Sequence, residues 1–146
     1  MNYRRAFTLI ELVVVILILG ILAGVAAPKL LSTSGNAVDN GLKQSLSIIR
    51  DAIELYTIDN GGAIPPCTGT GADFRAALDP YIRTDFPICP VGPAQNNNIE
   101  PRNGGASMNG PLMPTEGWAY HVDRAEFICN YGGFSNVDPT TRYYDF

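Results

Sequence analysis

One acidic side chain lies inside the most apolar stretch of the sequence. Glu11 is the only charged residue between Phe7 and Ala27, a run of 21 residues. As a helix this run would rise about 31 Å, which is close to the hydrocarbon thickness of a bilayer. A carboxylate in such a segment costs about 2.5 to 3.5 kcal/mol on insertion scales, and by default it marks function. We therefore predict that Glu11 meets a specific partner.

The residues around Glu11 resemble the N-terminus of the type IV pilin superfamily, which includes the pseudopilins of type II secretion. In that family a short basic leader and a small residue precede Phe-Thr-Leu-Ile-Glu and a long apolar run. Here the leader would be residues 1–6, and the motif starts at position 7. The family usually has glycine where this chain has Ala6. Pro28 also falls where many members have a proline.

The resemblance implies processing and then assembly with other copies of the chain. A prepilin peptidase on the cytoplasmic side would cut between Ala6 and Phe7 and methylate the new amino group of Phe7. The subunit would wait in the inner membrane with its C-terminal domain in the periplasm. An assembly platform would then draw it into a periplasmic or extracellular filament with other minor pilins or pseudopilins. There Glu11 would accept the Phe7 ammonium of a neighbour and set axial register.

This segment has two other interpretations. Arg4 and Arg5 suggest a twin-arginine export signal, with the small residues 25–27 as its cleavage site. Against this, Pro28 would directly follow the cut and Glu11 would interrupt the apolar core of the signal. A plain signal anchor for an unrelated periplasmic domain would leave the motif before the apolar run unexplained.

Composition bounds the rest of the chain. Its 146 residues allow one domain besides the anchor, and after loss of the leader 8 basic and 14 acidic side chains remain. This acidic balance argues against nucleic-acid binding. The 15 glycines and 11 prolines fall mostly after residue 60 and indicate many loops. Neither a nucleophile beside a histidine and an acid nor a glycine-rich phosphate loop is present in the sequence, so no enzyme is predicted.

The predicted fold is α+β, with a long N-terminal helix packed on a small, loop-rich antiparallel sheet. Pro28 should bend this helix because it removes one backbone hydrogen bond. Apolar residues recur every three or four positions over 38–56, which is one face of a helix that should end at residues 60–62. The predicted divisions are a leader 1–6, a membrane or filament-core helix 7–27, an amphipathic continuation 28–60 and a globular domain 61–146.

The globular domain has three local patterns. A short helix is predicted from about Asp73 to Tyr81, with Thr70 or Asp73 as its cap. Residues 86–116 read as a long loop with one short strand. Alternation over 118–122 and 126–131 predicts a hairpin with Trp118, Tyr120 and Val122 on one face and His121 solvated on the other. The aromatic residues 143–146 should fold back on the sheet.

The resemblance places the three cysteines in an oxidising compartment, so one disulfide is expected. The favoured pairing joins Cys67 to Cys89 and closes a loop of about 22 residues around the short helix. Cys129 would then be a small apolar residue of the sheet. The alternative pairs Cys89 with Cys129. A transition-metal site is not predicted, because His121 is the only histidine and no cysteines are closely spaced.

Some major pseudopilins bind calcium through acids and carbonyl groups of a C-terminal loop. The matching candidates here are Asp138 and Asp145, with Ser135 and backbone oxygens nearby. The alternative is an ordinary solvated loop without a cofactor.

The predicted function is that of a structural subunit that polymerises into a type IV pilus-like or type II secretion filament. The alternative is a minor or tip subunit, or a membrane-anchored binding module, whose C-terminal loops recognise a ligand.

Overall fold

A computed structural model describes residues 7–109 and 115–146, so the predicted leader and cleavage position Ala6 lie outside the described residues. The chain forms two compact units, of which the first ends at Gly35 and the second is Asn36–Phe146. The predicted α+β class is confirmed. The elements in chain order are α1 (Leu9–Asp59), α2 (Ala72–Leu78), a 3₁₀ turn (Asp79–Tyr81), β1 (Ile99–Arg102), β2 (Trp118–His121), β3 (Glu126–Cys129) and a second 3₁₀ turn (Tyr143–Asp145).

The first unit is an exposed apolar helix. Within the described residues, Leu9–Ala27 is the one segment whose length and composition suffice to cross a membrane, with a mean hydropathy of 3.0. None of this segment is buried within the chain. An apolar surface of this extent marks an interaction site. The helix is unbroken in the backbone at Pro28, and the predicted bend there stays a prediction.

In the second unit, the later part of α1 carries the predicted apolar face. The buried members of this face are Leu42, Leu46, Ile49, Ala52 and Ile53. The helix ends where the glycine pair predicted it would. Gly61 and Gly62 have φ values of 66° and 95°, and Gly62 N–H donates to Thr57 O at 2.8 Å, as in a glycine-terminated helix.

The short helix predicted over 73–81 is present as α2 and the 3₁₀ turn that follows. Its N-cap is Gly71 with a left-handed φ of 73°, and not the side chain of Thr70 or Asp73. A β-carbon at Gly71 would lie 2.6 Å from Ile99 Cβ, so the close approach of β1 demands glycine here. The side chains on the inner face of this helix are buried or half-buried: Phe74, Leu78 and Tyr81.

The sheet is three-stranded with the order β1-β2-β3. The predicted hairpin is confirmed, because β2 pairs with β3 antiparallel and Trp118 lies opposite Cys129. However, β1 pairs with β2 in parallel, with Ile99 opposite Trp118, so the sheet is mixed and not wholly antiparallel. The connection between β1 and β2 is 15 residues long. That length suffices to return the chain to the start of a parallel neighbour.

Both faces of β2 are buried, which overturns the prediction that His121 is solvated. Its side chain is fully buried. One ring nitrogen, Nε2, lies 3.2 Å from Gly104 O, and the other, Nδ1, accepts a hydrogen bond from Asp123 N–H at 3.3 Å. The loop after β1 covers this side of the strand. Alternation in the sequence identifies the two faces of a strand but does not show that a loop from elsewhere in the chain covers the polar one.

Candidate functional site

Thr8 and Glu11 form a reciprocal pair of hydrogen bonds at the start of α1. The backbone N–H and the hydroxyl of Thr8 donate to Glu11 Oε2 at 2.8 and 2.7 Å. Glu11 N–H donates to Thr8 Oγ1 at 3.4 Å. This arrangement is a capping box, and Thr-x-x-Glu is its sequence signature. Glu11 therefore has a partner within its own chain, which the sequence analysis did not anticipate although the spacing was available.

The capping box leaves part of the Glu11 carboxylate available to a second chain. Both Thr8 donors reach Oε2, and among the described residues no hydrogen bond reaches Oε1. Phe7, at the predicted processing point, is 82% exposed. The start of α1 therefore presents a carboxylate oxygen, an exposed aromatic ring and the apolar surface of the first unit together.

The three cysteines are buried free thiols, and two of them are in contact. Cys89 Sγ and Cys129 Sγ are 3.5 Å apart. Burial, followed by the negative charge of Asp73, raises the pKa of the Cys67 thiol to about 12. The contact favours the alternative pairing of Cys89 with Cys129 over the pairing of Cys67 with Cys89.

We expect oxidation to join Cys89 to Cys129 and to leave Cys67 reduced. Two thiols would lose two protons and two electrons to a thiol oxidase or a small-molecule disulfide while the chain folds, because both sulfurs are shielded afterwards. The 40-residue separation gives a stabilisation of about 4 kcal/mol in the chain-entropy estimate. Alkylation in denaturant without reductant, followed by mass spectrometry, should label Cys67 alone.

Two cysteine variants provide the control. Cys67→Ala should keep the cross-linked peptide pair, whereas Cys89→Ala should expose two alkylatable thiols. A cross-link that contains Cys67 would contradict the expected pairing.

A buried carboxylate of α1 lies beneath the segment that follows β3. Asp39 is 1% exposed. Burial acts to raise its pKa, but its hydrogen bonds outweigh burial and hold the pKa below the ordinary aspartate value. The donors are Ser135 Oγ (2.5 Å) and Val137 N–H (3.0 Å) to Oδ2, and Asn136 Nδ2 (3.2 Å) and Tyr143 OH (2.9 Å) to Oδ1.

Sequence reasoning missed Asp39, although its position carried a signal. It precedes Leu42 by three residues and so shares the spacing of the apolar face of α1. An acid on a buried face requires donors from elsewhere in the chain. The donors come from residues nearly one hundred positions later, and local spacing does not identify contacts of that range.

The predicted calcium candidates Asp138 and Asp145 both follow β3, and calcium binding by them stays a prediction. Oδ1 of Asp138 accepts hydrogen bonds from Thr140 N–H and Oγ1 at 2.9 and 2.6 Å, and Oδ2 accepts one from Thr141 Oγ1 at 2.7 Å. The hydrogen bonds from Thr140, and then from Thr141, lower the pKa of Asp138 to about 2. Asp145 lies in the last 3₁₀ turn. Within the described residues, groups of three or more potential metal-binding side chains are absent.

A second buried polar cluster joins β1 to the end of β3. Arg102 Nη2 lies 3.3 Å from Glu100 Oε2 and donates to Asn130 Oδ1 at 2.8 Å. Nη1 of the same guanidinium donates to Ser107 O at 2.8 Å. Asn130 Nδ2 in turn donates to Glu100 Oε2 at 2.9 Å. These residues were assigned to a loop and a hairpin end from the sequence, so their association was not predicted.

The aromatic tail folds back, as predicted. Tyr143 is 4% exposed and stacks on Tyr131 with ring centroids 5.9 Å apart. Arg50 of α1 donates from Nη2 to the carbonyl oxygens of Phe127 and Phe146 at 2.9 and 2.6 Å. The tail is thereby held against both β3 and α1.

Comparison with known proteins assigns the N-terminal segment. Residues 1–27 match the model of the prokaryotic N-terminal methylation motif. The chain is 37% identical to type II secretion system core protein G of Klebsiella pneumoniae over 60 residues, which are 41% of this chain and 43% of that protein. The same protein of Pseudomonas aeruginosa is 41% identical over 57 residues, covering 39% and 40% of the two chains.

The protein of the same name from Vibrio cholerae is 33% identical over 73 residues, covering 50% of this chain and 49% of that one. The chain thus spans less than half the length of each of these three relatives. No solved structure matches it. The methylation motif, the similarity to core protein G and the apolar helix that starts with Thr8 and Glu11 support the type IV pilin and type II secretion pseudopilin superfamily for the N-terminal part of the chain.

Proposed function

We propose that the chain is a structural subunit, a pseudopilin or pilin, that polymerises into a type II secretion or type IV pilus-like filament. The observation that carries this proposal is the apolar helix Leu9–Ala27, which is wholly uncovered within the chain and begins with the Thr8–Glu11 capping box. Similarity to proteins named as secretion core components implies a non-enzymatic role.

Two surroundings can cover this helix in turn. Its length matches the hydrocarbon core of a bilayer, which fits anchoring in the inner membrane. Arg4 and Arg5 precede the apolar run, and basic residues on that side favour a cytoplasmic N-terminus with the second unit in the periplasm. In a filament, the same surface would pack against the apolar helices of other copies. The apolar surface of the helix would then not be exposed to water when the subunit moves from the membrane into the filament.

Glu11 gives the filament contact its direction. After cleavage between Ala6 and Phe7 by a prepilin peptidase, Phe7 would carry a methylated ammonium group. Thr8 holds Glu11 through Oε2, and since no other residue in the described part of the chain donates to Oε1, this oxygen would accept the ammonium of a neighbouring copy. In surroundings with little water such a pair tolerates only a narrow geometry, because a displaced partner leaves the other charge buried. The pair would fix the axial position of each new subunit.

The N-terminus of the mature protein tests this proposal. When the chain is produced together with its peptidase, mass spectrometry should find it starting at a monomethylated Phe7. Ala6→Gly, which restores the usual residue of the family, should be processed at least as well, and Ala6→Leu should block processing. A mature chain that starts at Met1 or Pro28 would refute the proposal.

A further inference from the structure

The segment of residues 132–142, here called the C-terminal loop, lacks regular secondary structure but has a fixed path. Its ends meet through an isolated bridge between Phe134 and Arg142. Ser135 N–H donates to Thr141 O at 2.9 Å, and Tyr143 N–H donates to Gly133 O at 3.0 Å. These bonds close the loop on itself. They do not attach it to the rest of the second unit, so another contact must do so.

We infer that Asp39 fastens the C-terminal loop to α1 through direct hydrogen bonds, and that the loop therefore folds without a bound calcium ion. A calcium site in this loop would need several acids and carbonyl groups to converge on a cation. In this chain the carboxylate belongs to the helix and the loop supplies hydrogen-bond donors to it. The loop thus contributes donors here, whereas a calcium site would need it to contribute acceptors.

The hydrogen-bonding capacity of Asp39 is fully used. A carboxylate has about four lone-pair positions, and its four donors occupy two on each oxygen. Three of the donors, the side chains of Ser135 and Asn136 and the backbone of Val137, belong to the C-terminal loop, and the fourth is the side chain of Tyr143, directly after it. Because the side chain is 1% exposed, losing one donor would leave a buried acceptor without its partner.

The oxygens that a cation would need are engaged elsewhere. Ser135 Oγ donates to Asp39 and accepts Val137 N–H and Asp138 N–H at 3.1 and 3.0 Å. Asp138 binds Thr140 and Thr141 with both of its oxygens. Calcium takes six to eight oxygen ligands, so binding it here would compete with these hydrogen bonds. The positive charge of Lys43 also acts on Asp138 and would oppose a second cation.

Hydrogen exchange of the full chain in detergent micelles tests both parts of the inference. The wild-type amide of Val137 should exchange at the same rate in EDTA and in about 10 mM calcium chloride, a concentration roughly tenfold above the weakest extracellular calcium sites. Slower exchange in calcium, or a higher midpoint of thermal unfolding, would overturn the claim that no cation is needed.

Variants of Asp39 test the fastening contact. Asp39→Asn keeps the shape but places an amide donor against the donors of the loop, so exchange at Val137 should accelerate about tenfold or more. Asp51→Asn changes an exposed acid on the same helix and should have no effect. Tyr143→Phe removes one of the four donors, should give an intermediate acceleration and covers the case in which Asp39→Asn fails to fold.

Equal exchange in Asp39→Asn and Asp51→Asn would overturn the inference. If Asp39→Asn does not fold, wild-type exchange in Tyr143→Phe would do so. None of these measurements depends on filament assembly, so their outcome is independent of the proposed function.

Discussion

Replacement of Glu11 with valine is expected to abolish filament assembly and to leave membrane insertion intact. Removal of one partner of a buried ion pair costs about 3 to 5 kcal/mol because the other charge is left without compensation. For each added subunit this lowers the association constant at least about a hundredfold. Insertion should become easier, since the cost of about 2.5 to 3.5 kcal/mol for the acid is removed. Sheared filament fractions and membrane fractions from the same cells give the two readouts.

Thr8→Val is the matched control, because it separates the capping role of Glu11 from its proposed contact with another copy. It removes the hydroxyl donor at 2.7 Å but keeps the backbone donor at 2.8 Å. Loss of one cap interaction costs about 1 kcal/mol, so filaments should still form at reduced yield. Filament assembly by Glu11→Val at the level of Thr8→Val would mean that Glu11 is only a helix cap, and the register contact would have to be abandoned.

The features predicted from the sequence are those with a local period. The apolar face of α1 repeats every three or four residues and was placed correctly, as was the glycine pair that ends the helix. The hairpin of β2 and β3 followed from alternation around a short turn. Each of these depends on residues within one or two turns or strands of one another, where spacing determines which side chains share a surface.

The features that were missed depend on contacts between distant parts of the chain. Asp39 meets donors 96 to 104 residues later, and Arg102 meets Asn130 across 28 residues. The parallel pairing of β1 with β2 depends on the path of the long connection between them. The four residues of β1 contain no pattern that predicts the direction of this pairing. His121 was misplaced for a related reason, since a loop and not a strand covers it.

Replacement of Arg102 with leucine is expected to destabilise the second unit by about 3 to 5 kcal/mol. The variant leaves the Glu100 carboxylate buried without its cation and deprives Ser107 O and Asn130 of their donor. Domains of this size have a free energy of unfolding of about 5 to 15 kcal/mol. Such a loss would therefore remove a large share of the stability and lower the denaturant concentration at the midpoint of unfolding. Trp118 is the only tryptophan and is fully buried, so its fluorescence in a denaturant titration of the full chain reports this loss.

Arg83→Leu removes an exposed arginine of the same unit and is the control, with an expected change within about 0.5 kcal/mol. The double variant Arg102→Leu with Glu100→Leu distinguishes loss of a charge partner from loss of packing. If loss of the ion pair is the main cost, the double variant should be more stable than Arg102→Leu alone, because an apolar pair can replace a buried ion pair at little cost. A double variant less stable than Arg102→Leu would show that the cluster acts through shape and hydrogen bonds to Ser107 and Asn130, and not through its charges.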